Sequence, residues 1–169
     1  MSKASKKSKQ ESINRIVTLG EVNHENINDV ISIIEEINYI DKDIKKEERE
    51  AIKIIINTDG GNVYQGFGLI DCMDNSITPI HTICYGSALS MGLAILVSGH
   101  SRYAGKRATF MYHEISYELP YSKVETHKME AKEGERMMGI YDNIILERTN
   151  ITKKQLNNIK KHNKDWYFD

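Results

Sequence analysis

Apolar runs that end in glycine-containing turns alternate with amphipathic segments, and this alternation most constrains the fold. Residues 51–57 (AIKIIIN) precede the turn TDGG, and residues 80–85 (IHTICY) precede the small-residue stretch GSAL. Short apolar runs bounded by turn residues predict buried strands. Segments 25–37 and 63–74 instead carry apolar residues at helical spacing. The alternation predicts an α/β fold with a mainly parallel sheet and right-handed crossovers.

The remaining segments extend the same pattern. Thr152 is followed three residues later by Gln155, which is the capping-box spacing for the start of a helix. Residues 90–98 (SMGLAILVS) are apolar almost throughout, which predicts a helix buried on most sides. The other predicted elements are strands at 15–20 and 109–113, a charged connector at 41–50, a turn at 86–89, a loop at 117–122, and helices at 124–148 and 152–161.

Length and charge narrow the class of protein. The chain has 169 residues, which is one ordinary domain, and its net charge is −1. A charge so near zero gives no global attraction to nucleic acid or to an anionic membrane. Both cysteines, Cys72 and Cys84, lie in apolar runs, which is typical of buried free thiols in a reducing cytosol. Cysteine and histidine show no metal-ligand spacing, so no metal site is expected. We expect no organic cofactor either.

The amino-terminal segment is basic and polar. Its first ten residues, MSKASKKSKQ, contain four lysines and no acidic residue, and the chain continues with the polar stretch ESIN. A secretory signal would place an apolar stretch after its lysines, and no run approaches the length of a membrane span. We therefore expect a cytoplasmic protein with a flexible basic segment at 1–12 and a single domain at 13–169.

Ser90 is the first candidate for chemistry. It follows a predicted strand and opens an apolar helix, in the sequence Ala88-x-Ser90-x-Gly92. Small neighbours permit the sharp strand-to-helix turn that exposes a nucleophile, and a helix N-terminus favours developing negative charge. The alternative is a serine that only caps its helix. Spacing alone leaves both readings open.

A nucleophilic serine needs a base, and His113 is the best candidate among six histidines. It ends a predicted strand at the sheet edge that Ser90 shares, whereas His81 begins a strand and belongs to the opposite edge. The other competitors are His24, His100, His127 and His162. Asp165, beside aromatic residues, is the preferred third group to orient the imidazole, ahead of Glu114 and Asp169.

At these residues the chain resembles the Clp protease proteolytic subunit family, from about residue 15 onward. The markers are IIINTDGG at 54–61, GFGLID at 66–71, SALSMG at 87–92 and MYH at 111–113. The resemblance implies a Clp protease/crotonase-like fold and a serine endopeptidase that hydrolyses unfolded proteins through an acyl-enzyme. It also implies the catalytic order Ser90, His113, Asp165, and an oxyanion hole built from the backbone N–H groups of Gly61 and Met91.

The resemblance implies an assembly as well. Members of the family form seven-membered rings that stack in pairs around a chamber, and an AAA+ unfoldase feeds them protein substrates. The helix at 124–148 would then be the handle through which two rings meet. Four departures stand out. Asp59 replaces a proline, the segment between Ser90 and His113 is slightly shorter than usual, and the region around Asp165 is a residue short. The sequence also ends at Asp169 where the family continues. The last feature suggests a truncated form or a compact, phage-type member.

Two rival functions remain at this point. A crotonase-like acyl-CoA hydratase or isomerase shares the architecture, but it would use a carboxylate base and a basic site for the adenosine phosphates. A catalytically inactive ring scaffold of the same family is the second rival, because the position of Asp165 is the least secure.

Overall fold

The computed structural model describes residues 14–116, 121, 123–162 and 164–169. The basic segment at 1–12 lies outside this part, as does the loop at 117–122 apart from Tyr121. The strands are β1 Ile16–Leu19, β2 Ile52–Thr58, β3 Ile80–Leu89, β4 Ser101–Ala104, β5 Thr109–Tyr112 and β6 Trp166–Phe168. The helices are α1 His24–Asp41, α2 Val63–Asn75, α3 Met91–Val97, α4 Val124–Arg148 and α5 Lys153–Lys161.

The strands form one mainly parallel sheet in the order β1-β2-β3-β5-β6, with β4 paired to β3 off this path. Each pairing is parallel except that of β5 with β6. This arrangement confirms the predicted α/β class with a mainly parallel sheet. It also brings the carboxyl ends of β2, β3 and β5 to one edge, where ligands bind in such sheets.

The stretch at 86–89 is strand, so the turn predicted there is wrong. β3 pairs with β4 through His81–Cys84 and then with β5 through Ser87–Leu89. Gly86 has φ 97°, and a side chain there would meet Asn57 Oδ1 at 2.4 Å. The same Asn57 oxygen accepts a hydrogen bond of 3.0 Å from the Ser87 N–H. Gly86 therefore kinks the strand instead of ending it.

Helix α1 continues beyond the predicted 25–37 because its last residue is held in place. Asp41 is fully buried and accepts hydrogen bonds from Arg15 at 2.7 and 2.8 Å and from the Thr78 hydroxyl at 2.8 Å. Only the remainder of the predicted connector lies outside the helix, and it contains a short 3₁₀ turn at Lys46–Glu48. A buried carboxylate is tolerated there because it is paired and hydrogen-bonded.

The remaining helices match their predicted positions. Every residue of α3 is buried, as its apolar sequence predicts. Helix α4 has the predicted bounds, and none of residues 124–133 is buried, so its first half packs little against the domain. The capping box at Thr152 and Gln155 is present. Within the described residues, no helix is both long enough and apolar enough to cross a bilayer.

Candidate active site

Ser90 lies in a strained turn between β3 and α3. Its φ of 52° and ψ of −125° make it the only residue other than glycine with positive φ in the described part of the chain. Three hydrogen bonds hold this backbone: the Ser90 N–H donates to Met111 O at 2.9 Å, and Ser90 O accepts from the Tyr141 hydroxyl and from the Leu93 N–H, each at 3.0 Å. Such strain persists only where the surroundings enforce it, and it concentrates at functional sites.

The Ser90 side chain makes no capping hydrogen bond to its helix. Its hydroxyl instead lies 2.7 Å from His113 Nε2, which is hydrogen-bonding distance. His113 directly follows β5, whose Met111 is paired with Leu89 at the end of β3. The serine is therefore more than a helix cap, and the predicted serine–histidine pair is brought together at the predicted edge of the sheet.

Asp165 lies close to His113 without bonding to it. The distance from Asp165 Oδ1 to His113 Nδ1 is 3.7 Å, beyond hydrogen-bonding range, and the aspartate side chain is 57% exposed. The strand β6 accounts for this position, because Trp166 pairs with Tyr112 in the antiparallel register. One step further along each strand sets Asp165 beside His113. The same register places Asp169 away from His113, because Asp169 follows Phe168, which pairs with Phe110 further back along β5.

The competing histidines lie elsewhere. His100 is at the opposite edge, where its Nδ1 accepts a hydrogen bond of 3.1 Å from the Ile80 N–H at the start of β3. His81 also lies in that part of β3 and contacts the ring of Tyr103. Among the described residues, no cluster of histidine, cysteine and carboxylate side chains could hold a metal ion.

The glycine turn after β2 approaches Ser90 closely. Gly60 has φ 103°, and a side chain there would meet Ser90 Cβ at 2.8 Å, Leu89 O at 2.9 Å and Met91 N at 3.2 Å. Gly61 has φ 141° and forms a bridge with Val22 that uses the Gly60 carbonyl and the Asn62 N–H. Within the described residues, the Gly61 N–H makes no hydrogen bond. Met91 begins α3, so its N–H lacks an intrahelical partner.

An open cleft of about 600 Å³ runs beside this turn. It is lined by Glu21, Asn57, Thr58, Asp59, Gly60, Gly61 and Ser87. Among its lining residues, Gly61 has a backbone N–H without a partner in the described part of the chain, so this donor is available to a carbonyl oxygen of an extended peptide.

Sequence reasoning missed a polar cluster beneath the histidine. Tyr112 and Tyr141 stack with ring centroids 5.4 Å apart, and Asp142 contacts both the Tyr112 hydroxyl and Lys160 Nζ. Burial, followed by the nearby Asp142, raises the pKa of Tyr112, so its hydroxyl stays protonated as a donor. The one feature of the sequence that could have indicated this cluster is that Tyr112 directly precedes the candidate base His113. Asp142 resembled any charge on a solvated helix face.

Serine hydrolases place their nucleophilic serine in a strained strand-to-helix turn, with its hydroxyl hydrogen-bonded to a histidine. Ser90 and His113 have this arrangement. The chain belongs to the Clp protease family: the family model described as Clp protease matches residues 3–169. Membership identifies it as a serine-type peptidase and confirms the fold expected from the resemblance.

Individual relatives agree with this assignment. The chain is 29% identical over 157 residues to an ATP-dependent Clp protease proteolytic subunit 1 of Prochlorococcus marinus (strain NATL2A), covering 91% of this chain and 76% of the relative. It is 30% identical over 138 residues to the ATP-dependent Clp protease proteolytic subunit of Angiopteris evecta, covering 80% and 67%. The corresponding subunit of Cyanophora paradoxa is 30% identical over 129 residues, covering 74% and 63%.

Proposed function

We propose that this subunit cleaves peptide bonds with Ser90 as nucleophile, His113 as general base and then general acid, and Asp165 as the group that orients the imidazole. The 2.7 Å contact between Ser90 Oγ and His113 Nε2 carries the proposal. The histidine takes the serine proton as Ser90 attacks the carbonyl, and it returns the proton to the leaving amine. Water then hydrolyses the acyl-enzyme by the same route.

The oxyanion of the tetrahedral intermediate is held by the N–H groups of Gly61 and Met91 in this proposal. Two observations support it: the glycine turn approaches Met91 closely, and the Gly61 N–H has no hydrogen-bond partner in the described part of the chain. Preorganised donors of this kind stabilise the charge that develops during attack. No metal or organic cofactor takes part.

The substrates we propose are unfolded proteins that bind as an added strand beside the glycine turn or beside the handle helix α4. The assembly is a pair of stacked rings around a chamber, with seven subunits in each ring and an AAA+ unfoldase as partner. The unburied first half of α4 supports its role as the handle, since Val124 and Met129 expose 69% and 73% of their surface there. Sedimentation of the full chain should then show a mass many times that of the subunit.

The same proposal includes a cytoplasmic location, a basic segment at 1–12 and a single peptidase domain at 13–169. Two cysteines without a disulfide support a reducing compartment: Cys84 is buried, and the Cys72 thiol lies near Glu35.

Labelling with a fluorophosphonate probe tests the chemistry directly. Labelling of the wild-type protein that disappears in Ser90→Ala, together with hydrolysis of a short fluorogenic peptide, is the expected result. Ser87→Ala is the matched control because Ser87 lies three positions away in the same stretch, where its hydroxyl bonds to Asn57 Oδ1 at 3.3 Å. It should keep labelling at Ser90.

Two other outcomes would decide against the proposal. Rings that form but neither label nor cleave peptide would identify the inactive scaffold, which the 3.7 Å gap at Asp165 would then explain. Hydration or isomerisation of an acyl-CoA without labelling of Ser90 would identify the crotonase-like enzyme.

A further inference from the structure

Asp142 on α4 connects the two chain segments that carry His113 and Asp165. Its Oδ1 accepts a hydrogen bond from the Tyr112 hydroxyl, and Tyr112 directly precedes His113. Its Oδ2 accepts a hydrogen bond from Lys160 Nζ, and Lys160 lies near the end of α5, five positions before Asp165. One carboxylate therefore contacts the end of β5 and the end of α5 at once.

This contact is shielded from solvent. The Tyr112 side chain is fully buried, and the side chains of Asp142 and Lys160 are 15% and 25% exposed. Solvent and salt screen such a pair less than they screen an exposed one. Loss of one member also leaves a partly buried polar group without its partner, which is costly. The contact is therefore costly to break, as a positioning role requires.

Asp165 has few other restraints. Its side chain is mostly exposed, and the strand that follows it pairs with β5 over only three residues at the edge of the sheet. On the other side, α5 is anchored by buried Leu156 and partly buried Ile159. Among the described residues, the contact of Lys160 with Asp142 is the one ion pair that joins α5 to the rest of the domain.

We infer that Asp142 is a positioning residue for the peptidase reaction: through Tyr112 and Lys160 it sets the distance between His113 and Asp165. The inference rests on the proposed catalytic roles of those two residues. Asp142 itself touches no reacting atom. A shift of about 1 Å in a supporting group can change a rate on the order of 100-fold, and the gap at Asp165 is already long.

The test compares Lys160→Met in two backgrounds, wild type and Asp165→Asn, using kcat and KM for a fluorogenic peptide with the assembled full chain. In the wild-type background, kcat should fall on the order of 10-fold or more with little change in KM. In the Asp165→Asn background, the same substitution should change kcat less than about twofold, because the group it positions is already disabled. Lys160→Arg should retain most of the activity.

Lys161→Met is the matched control, since Lys161 is the next residue of α5 and is exposed. It should leave kcat unchanged in both backgrounds. Should Lys160→Met fail to fold, Tyr112→Phe removes a single hydroxyl and supports the same comparison.

Equal fold losses in both backgrounds, or no loss at all, would overturn the positioning role. These results are distinct from failure of the proposed function. In that case the wild-type protein itself would neither hydrolyse the peptide nor label at Ser90.

Discussion

Ser90 Oγ and His113 Nε2 are 2.7 Å apart although 23 positions separate the two residues in the sequence. The pairing of Leu89 with Met111 places the ends of β3 and β5 side by side. The Ser90 N–H then bonds to Met111 O, so the backbone that positions the nucleophile is tied to the strand that delivers the base. The register between β3 and β5 therefore determines that Ser90 and His113 lie within hydrogen-bonding distance.

Ser90→Ala and His113→Ala should each reduce kcat for a fluorogenic peptide by a similar factor, on the order of 10,000-fold or more, because members of such a unit act together. The double variant should be hardly worse than either single one. A His113→Ala variant with near wild-type kcat would show that the contact has no part in catalysis. His100→Ala is the control, since His100 lies at the opposite edge of the sheet.

Ser90→Gly should raise the free energy of unfolding by about 1 kcal/mol, because glycine adopts positive φ without the strain that a side chain incurs. Ser90→Ala removes the same hydroxyl but keeps the Cβ, so it should give no comparable gain. Urea unfolding of both variants measures the difference. Equal stability of the two would contradict the assignment of strain to the φ of 52°.

Gly60→Ala should abolish most activity and destabilise the domain. The new Cβ would lie 2.8 Å from Ser90 Cβ and 2.9 Å from Leu89 O, and the residue would keep a φ of 103°. Gly68→Ala is the control: Gly68 lies inside α2 with open space around it, so alanine should stabilise that helix by up to about 1 kcal/mol. Unchanged peptide hydrolysis by Gly60→Ala would show that the turn can accommodate a Cβ at this position without displacing Ser90.

Asp41→Asn should lower the free energy of unfolding at pH 7 by about 3 kcal/mol, because it leaves the partly buried Arg15 without its charged partner. The hydrogen bonds from Arg15, opposed by burial and supported by Thr78, hold the pKa of Asp41 below its usual range. A lowered folded-state pKa contributes stability that is present above the unfolded pKa of about 4 and is lost as pH falls through the folded value.

The difference between wild type and Asp41→Asn should therefore shrink in acid. Urea unfolding from pH 7 down to pH 3 measures it, with Asp43→Asn as the control, since Asp43 is exposed and lies just beyond the end of α1. A difference that stays constant over this range would contradict the ionic origin of the stabilisation.

The sequence alone determined the features that depend on neighbouring residues. The apolar run before Gly60 and Gly61 predicted β2, the capping pattern at Thr152 predicted the start of α5, and helix α4 has its predicted bounds. Small residues around Ser90 predicted a sharp turn there. Each signal is local, because strand burial, helix capping and turn geometry are set within a few residues.

Only the tertiary structure decided what depends on partners far along the chain. β3 continues through Gly86 because Asn57 supports the kink, and β6 exists because Trp166 pairs with Tyr112. That pairing leaves Asp165 at 3.7 Å from His113, and packing of α5 turns Asp142 from a surface charge into a contact between two segments. The physical reason is that hydrogen bonds between distant segments form only after the chain has folded, and no local pattern encodes their length.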